Sequence, residues 1–172
     1  MSDVIKNIKE RRSIRKYKED MIPKEIIEKI VEAGTYAPSG MGKQSSIILA
    51  ITNKEVRDKL SRLNAKIMGV DSDPFYGAPV ILVVLAKKDI PTYIYDGSLV
   101  MENLMLAANS LGIGSCWIHR AKEEFETGEG KEILKSLGIE DEYEGIGHCI
   151  LGYKAEEGTL KPRKDNYVYY IE

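Results

Sequence analysis

The stretch Val80-Ile81-Leu82-Val83-Val84-Leu85-Ala86 decides the fold. It is the longest uninterrupted apolar run in the chain and falls far short of the ~20 residues that span a bilayer. No polar residue interrupts it, so as a strand it must be covered on both faces. Upstream, residues 71–79 form a Pro- and Gly-containing loop. Downstream, Asp96 is placed to cap the most apolar helix, residues 97–111. Its Leu99, Val100, Leu104, Met105, Leu106, Ala107 and Ala108 spread over several faces, which predicts a central and mostly buried helix. Gly112 stops it, and residues 114–118 return as a short strand.

Working outward, the same alternation of helix and strand patterns continues in both directions. Ser2 can cap a first helix carrying Val4, Ile5 and Ile8 on one face. Pro23 opens a second helix with the stripe Ile26, Ile27, Ile30 and Val31, and Gly34 is expected to end it. Residues 36–44 form a Pro/Ser/Gly loop, and residues 47–52 a buried strand. Asn53 caps a third helix bearing Val56, Leu60, Leu63 and Ile67. Residues 131–137 read as a short helix ended by Gly138, and residues 145–153 as the last core strand. The terminal segment Tyr167-Val168-Tyr169-Tyr170-Ile171 is strand-prone with no hairpin partner beside it. Residues 154–172 are therefore expected to extend onto another subunit.

The chain has 172 residues, and no linker or repeat divides it, so one domain over residues 1–172 is expected. A net charge of −2 gives no reason to expect a nucleic-acid partner. The charged first fifteen residues contain no secretory h-region, and no apolar run suits a membrane. The two cysteines, Cys116 and Cys149, form no CxxC and no disulfide framework, which fits a reducing cytoplasm.

Several chemical signatures fail on spacing. Gly42-Lys43 follows Ala37 where a P-loop needs glycine, and Gln44 replaces the magnesium-binding hydroxyl. Gly112-Ile113-Gly114 leads to Trp117 where a dinucleotide fingerprint needs its third glycine. There is no G-x-S-x-G elbow, and His119, His148 and the cysteines lack any zinc spacing, so no metal site is assigned.

Other segments survive. Arg11-Arg12-Ser13-Ile14-Arg15 places three guanidinium groups and a hydroxyl within five residues, a set suited to phosphate oxygens. Ala37-Pro38-Ser39-Gly40-Met41-Gly42-Lys43-Gln44 mixes close-approach glycines with polar and apolar side chains, as a flat heteroaromatic ring requires. Gly112 to His119 combines a tight turn, the single Trp117 and a strand end, while Lys161-Pro162-Arg163-Lys164 is a late basic cluster.

Taken in order, these segments resemble the FMN-dependent nitroreductase family. The resemblance runs from Arg11-Arg12-Ser13-Ile14-Arg15-Lys16-Tyr17 through Ala33 to Met41, Phe75 to Pro79 and Asn103 to Ala108. It ends at Leu111-Gly112-Ile113-Gly114-Ser115-Cys116-Trp117-Ile118 and the basic tail. It implies an α+β fold with a central, mostly antiparallel or mixed sheet flanked by helices. It also implies an intertwined homodimer with FMN at the subunit interface. By position, Arg11, Arg12, Ser13 and Arg15 match the segment that holds the FMN phosphate, ribityl chain and pyrimidine edge. Pro38, Ser39, Gly40 and Met41 match a loop reaching the flavin from the other subunit, and Asn64 a residue that hydrogen-bonds the flavin. Trp117, Ile118, His119 and Arg120 match the strand end where a backbone N–H approaches flavin N5. Lys161 and Arg163 match the late phosphate-site cations.

The implied reaction is ping-pong. NADH or NADPH passes hydride to the flavin and leaves, and a nitroaromatic, quinone or similar small acceptor follows. Arg15 would favour the anionic reduced flavin. Hydride transfer requires no acid or base side chain, so no catalytic residue is assigned. The alternatives are a non-enzymatic flavin-binding or flavin-sensing protein, or a dehalogenase or enone reductase on the same scaffold. The chain departs from the family pattern where Gly42 stands for an Asn, Ser45 for a Pro, and Ile67 for a Lys found in some members.

Overall fold

The computed structural model describes residues 2–172. Its centre is the apolar run, which forms the β2 strand Val80–Lys87 between β1 (Ser46–Ile51) and β4 (Tyr143–Tyr153). The remaining strand, β3 (Ile113–Ile118), pairs with the far edge of β4, giving the order β1-β2-β4-β3 with every pair antiparallel. Side chains on a strand alternate between faces. Val80, Leu82, Val84 and Ala86 enter one core cluster, and Ile81, Val83 and Leu85 enter the other. Both clusters are buried and apolar, which is why no polar residue interrupts the run.

One face is covered by α2 (Lys24–Thr35) and α4 (Tyr93–Ser110), and the other by α3 (Lys54–Met68), α5 (Ala121–Glu126) and α6 (Gly128–Ser136). Asn53 caps α3, its side chain accepting from the Val56 N–H at 3.0 Å. Ser2 caps α1 (Asp3–Glu10) in the same way through the Ile5 N–H. In the single chain, Val4, Ile5 and Ile8 of α1 are exposed.

Several expectations are corrected. Gly34 does not end α2 but lies buried inside it, where a Cβ would stand 2.6 Å from Leu104 Cδ2. Its lack of a side chain lets α2 approach α4, and a methyl there would overpack the contact by about 1–3 kcal/mol. Asp96 is not a cap, because α4 begins at Tyr93 and Asp96 is buried inside its first turn. Helix α6 starts at Gly128, earlier than its apolar pattern suggested, and the short α5 before it was not anticipated. Residues 167–171 form no strand in the single chain, and the segment from Thr159 to Glu172 is exposed throughout.

The arginine segment lies along the free edge of β3. Ser13 bridges Ser115 in parallel, with the Ile14 N–H donating to the Ser115 carbonyl at 3.0 Å. Tyr17 then bridges Lys154, so the chain beyond β4 runs back beside the arginines.

Candidate active site

Ile118, His119 and Arg120 end β3 and turn into α5. With Arg15, Cys116, Trp117 and the loop residues Asp73, Pro74 and Tyr76, they line a cavity of about 210 Å³. Trp117 lies against Gly147 of β4, where any side chain would collide with the indole. Burial pushes the Cys116 thiol up, against the lowering pull of Arg15, Ser13 and Arg11. All three lie near this sulfur, so the fold brings the early segment to the strand end.

The tail joins the same region. Glu156 accepts the Arg15 N–H at 2.7 Å, and Gly158 passes so close to the Arg12 side chain that a Cβ would collide with it. Arg12 directs Nη1 to the carbonyls of Lys9 and Arg11, at 2.6 and 2.7 Å. Lys161 and Arg163 follow a few residues later, exposed, with Arg163 donating only to the Lys161 carbonyl.

The loop residues sit elsewhere. Pro38 and Ser39 line a separate cavity of about 270 Å³ with Gln44, Ser45, Ser46 and Asp96. The two cavities share no residue. Asp96 organises the loop: its carboxylate accepts from the Gly40 N–H at 3.0 Å, the Ser45 hydroxyl at 2.8 Å and the Thr92 hydroxyl at 3.1 Å. Ser39 Oγ accepts from the Gln44 N–H at 2.9 Å, and Met41 projects into solvent.

Backbone strain marks these segments independently. Among the described residues, the non-glycine positions with left-handed φ are Met41, Gln44, Tyr76 and Arg120. All lie on the loop or on the walls of the strand-end cavity. Such conformations persist only where the surroundings hold them, and they concentrate at functional sites.

Asn64 is fully buried, and its amide is engaged within the protein. It donates to the His119 carbonyl at 3.0 Å and to Glu124, and accepts from Arg120 Nε at 2.9 Å.

A profile of the Nitroreductase family matches residues 8–153. The chain belongs to the nitroreductase family. It is 31% identical to an Archaeoglobus fulgidus protein named NADH dehydrogenase/NAD(P)H nitroreductase, over 97% of this chain and 94% of that one. A Methanothermobacter thermautotrophicus protein of the same name is 32% identical over 67% of this chain, and that match spans 60% of the relative's own length. The crystal structure of a nitroreductase with bound FMN from Bacteroides fragilis matches with a TM-score of 0.89 at 32% identity, over 100% of both chains. Among the described residues of this nitroreductase-family chain, no helix is long and apolar enough to cross a membrane.

Sequence reasoning missed Glu124, considered His148 only as a metal ligand, and misread Asp96; Glu124 and His148 are both fully buried behind the strand end. An acidic residue inside an otherwise apolar helix was the available signal for Asp96. Glu124 sits in a run of charged residues that looks like a solvated face, and nothing local marks it.

Proposed function

We propose that this chain is an FMN-dependent oxidoreductase that takes hydride from NADH or NADPH. It then reduces nitroaromatic, quinone or similar small acceptors in ping-pong order. The observation that carries the reading is a group of arginines whose charge the protein only partly matches. Among the described residues, the guanidinium groups of Arg12, Arg15 and Arg120 have no carboxylate within ion-pair distance. Arg11 pairs through Nε with Glu102 at 3.8 Å, but its Nη1 is buried without a hydrogen-bond partner, an expensive state unless an anion or polar ligand satisfies it. A flavin mononucleotide fits this chemistry, with its phosphate on the arginine segment and the late cations, and its ring beside Trp117, Ile118, His119 and Arg120.

Bound FMN supplies the redox chemistry, and the protein supplies binding and orientation. Arg11, Arg12, Ser13, Lys161 and Arg163 would neutralise and grip the phosphate end. Arg15 would place a positive charge near the pyrimidine edge. Trp117 would form one wall of the ring site, and a nicotinamide and then an acceptor would occupy the same space beside the ring in turn.

The reading includes a homodimer. Pro38 and Ser39 line a cavity that shares no residue with the strand end, and Gly40 and Met41 follow them on the same loop, so a flavin touching both sets would draw them from two copies of the chain. Ile94, Tyr95 and Leu99 on α4, with Val4, Ile5 and Ile8 on α1, leave apolar surface that a partner would bury. The strand-prone end of the 154–172 tail would lie on that partner.

The test is spectroscopic. The FMN-loaded protein should bleach on addition of NADH or NADPH and recover its yellow colour with a nitroaromatic or quinone under anaerobic conditions. Flavin bound without bleaching by either nucleotide would instead make the chain a flavin-sensing protein.

A further inference from the structure

Behind the strand end lies a polar network whose every member is fully buried: Asn64 of α3, Glu124 of α5 and His148 of β4. We propose that this network is a positioning device. It grips the carbonyls of Ile118 and His119 from the core side and so turns the N–H groups of His119 and Arg120 outward, toward the flavin. The proposal rests on the FMN reading given above.

His148 Nδ1 lies 3.3 Å from the Ile118 carbonyl, and Nε2 lies 2.9 Å from Glu124 Oε2. A carbonyl only accepts, so Nδ1 must carry a proton. One further proton then lies between Nε2 and the carboxyl. The other oxygen of Glu124 accepts from Asn64, whose amide also donates to the His119 carbonyl at 3.0 Å. Asn64 Oδ1 accepts from Arg120 Nε. The ring of His148 is braced by Phe75, with centroids 5.0 Å apart.

Two features say what the network is for. First, the side-chain groups of Asn64, Glu124 and His148 are spent on each other and on the turn, so the network is not itself a ligand site. Apolar residues of similar volume would fill the space without the desolvation cost of a carboxylate and an imidazole. What they could not do is fix two successive carbonyls.

Second, the direction is set by backbone geometry. In a trans peptide the N–H points opposite to the C=O, and no peptide bond among the described residues is cis. Ser115 presents its carbonyl to the outer edge of β3, where Ile14 binds it. By the alternation of a strand, Ile118 faces β4 and the His119 N–H faces that same outer edge, on the side of Arg15. Arg120, with φ at 77°, completes the turn. Two donors aimed at an electron-rich ring edge, held rigidly, are a preorganised element.

The experiment compares the wild type with Glu124→Gln, Glu124→Leu and Asn64→Ser. It uses FMN fluorescence titration together with amide hydrogen exchange at Ser13, His119 and Arg120, with and without FMN. In the wild type, FMN should protect all three amides. Glu124→Gln can still accept from Asn64 and donate to His148 Nε2, so it should bind FMN within about twofold of wild type. Glu124→Leu and Asn64→Ser leave buried groups unpaired or a carbonyl ungripped, and should weaken FMN about tenfold. In both, protection at His119 and Arg120 should be lost while that at Ser13 remains. A purely structural role would lower thermal stability without this selective loss. Should Glu124→Leu not fold, Asn64→Ser and the wild type decide. FMN binding with no protection of His119 and Arg120, or unchanged protection in the variants, overturns the proposal. A wild-type chain that binds no FMN overturns the underlying reading instead.

Discussion

The turn at Ile118, His119 and Arg120 and the tail beyond Thr159 both carry residues assigned to one cofactor, yet they are held in opposite ways. At the turn, consecutive carbonyls are bound by fully buried side chains from a helix and a strand. In the tail, Tyr169 and Tyr170 are 80% and 83% exposed, and Lys161 and Arg163 touch little but each other. The turn is ordered by folding itself. The tail has no such support, and whatever fixes its basic residues must come from a ligand or a second chain. Binding at the turn therefore loses little conformational entropy, whereas binding through the tail loses much. On the proposed reading, one site is half built by the single chain and half left to a partner or ligand.

The strongest way to break this contrast is to remove the free half. Deleting residues 159–172 leaves Glu156 and Gly158 beside Arg15 and Arg12, so the arginine segment keeps its supports. Losing two charge-assisted contacts, each worth about 1.5–3 kcal/mol, should weaken FMN binding by about a hundredfold or more. Light scattering should also show a shift from dimer to monomer. A truncated protein that keeps both its FMN affinity and its size would show the tail to be inert.

A smaller effect probes the built half. Asp73 organises the loop over the strand-end cavity, accepting from Ser61 at 2.6 Å and from the N–H groups of Phe75 and Gly77 at 2.9 and 2.8 Å. Arg57 adds an ion pair and also lies over the Phe75 ring that braces His148. Burial pushes the Asp73 carboxyl up, but the hydrogen bonds from Ser61, Arg57, Gly77 and Phe75 outweigh it and hold the group below its ordinary value of 3.8. Its stabilisation is therefore fully present above pH 3.8 and fades as pH falls through the lower folded-state value. Asp73→Asn should cost about 1–2 kcal/mol in urea unfolding at neutral pH. The gap from wild type should narrow only in acid below about pH 4. A gap that instead persists at lower pH would mean that the carboxylate charge contributes nothing.

How much was legible follows from how local each signal is. The β2 run announced a sheet covered on both sides because burial leaves no room for a polar residue. Asn53 announced its cap because the partner is Val56, three positions away. The arginine segment was visible because phosphate chemistry concentrates one residue type. Gly34 was misjudged because a glycine near a helix end signals both termination and close packing, and only Leu104 tells them apart. Asp96 was misjudged for a similar reason, since its partners Gly40 and Ser45 lie more than fifty residues away. The Asn64–Glu124–His148 network was invisible because its contacts span 24 to 60 residues. A helix as short and charged as α5 shows no apolar stripe to announce that one of its acids faces inward.

The smallest expected effect separates the two halves by salt. Lys161 and Arg163 are exposed, so their attraction for a phosphate is screened, and the Debye length falls from about 10 Å at 0.1 M to about 3 Å at 1 M. Asn64 is fully buried, so its hydrogen bonds are screened far less and salt should change them little. FMN affinity measured at the two salt concentrations should fall a few-fold in the wild type. The fall should be clearly smaller in a Lys161→Ala, Arg163→Ala double variant, because the screened contacts are already gone. Asn64→Ser should show the same salt slope as the wild type, displaced to weaker binding throughout. Equal slopes in the wild type and the double variant would mean that the phosphate is held by the arginine segment alone. The tail would then serve the partner chain and not the cofactor.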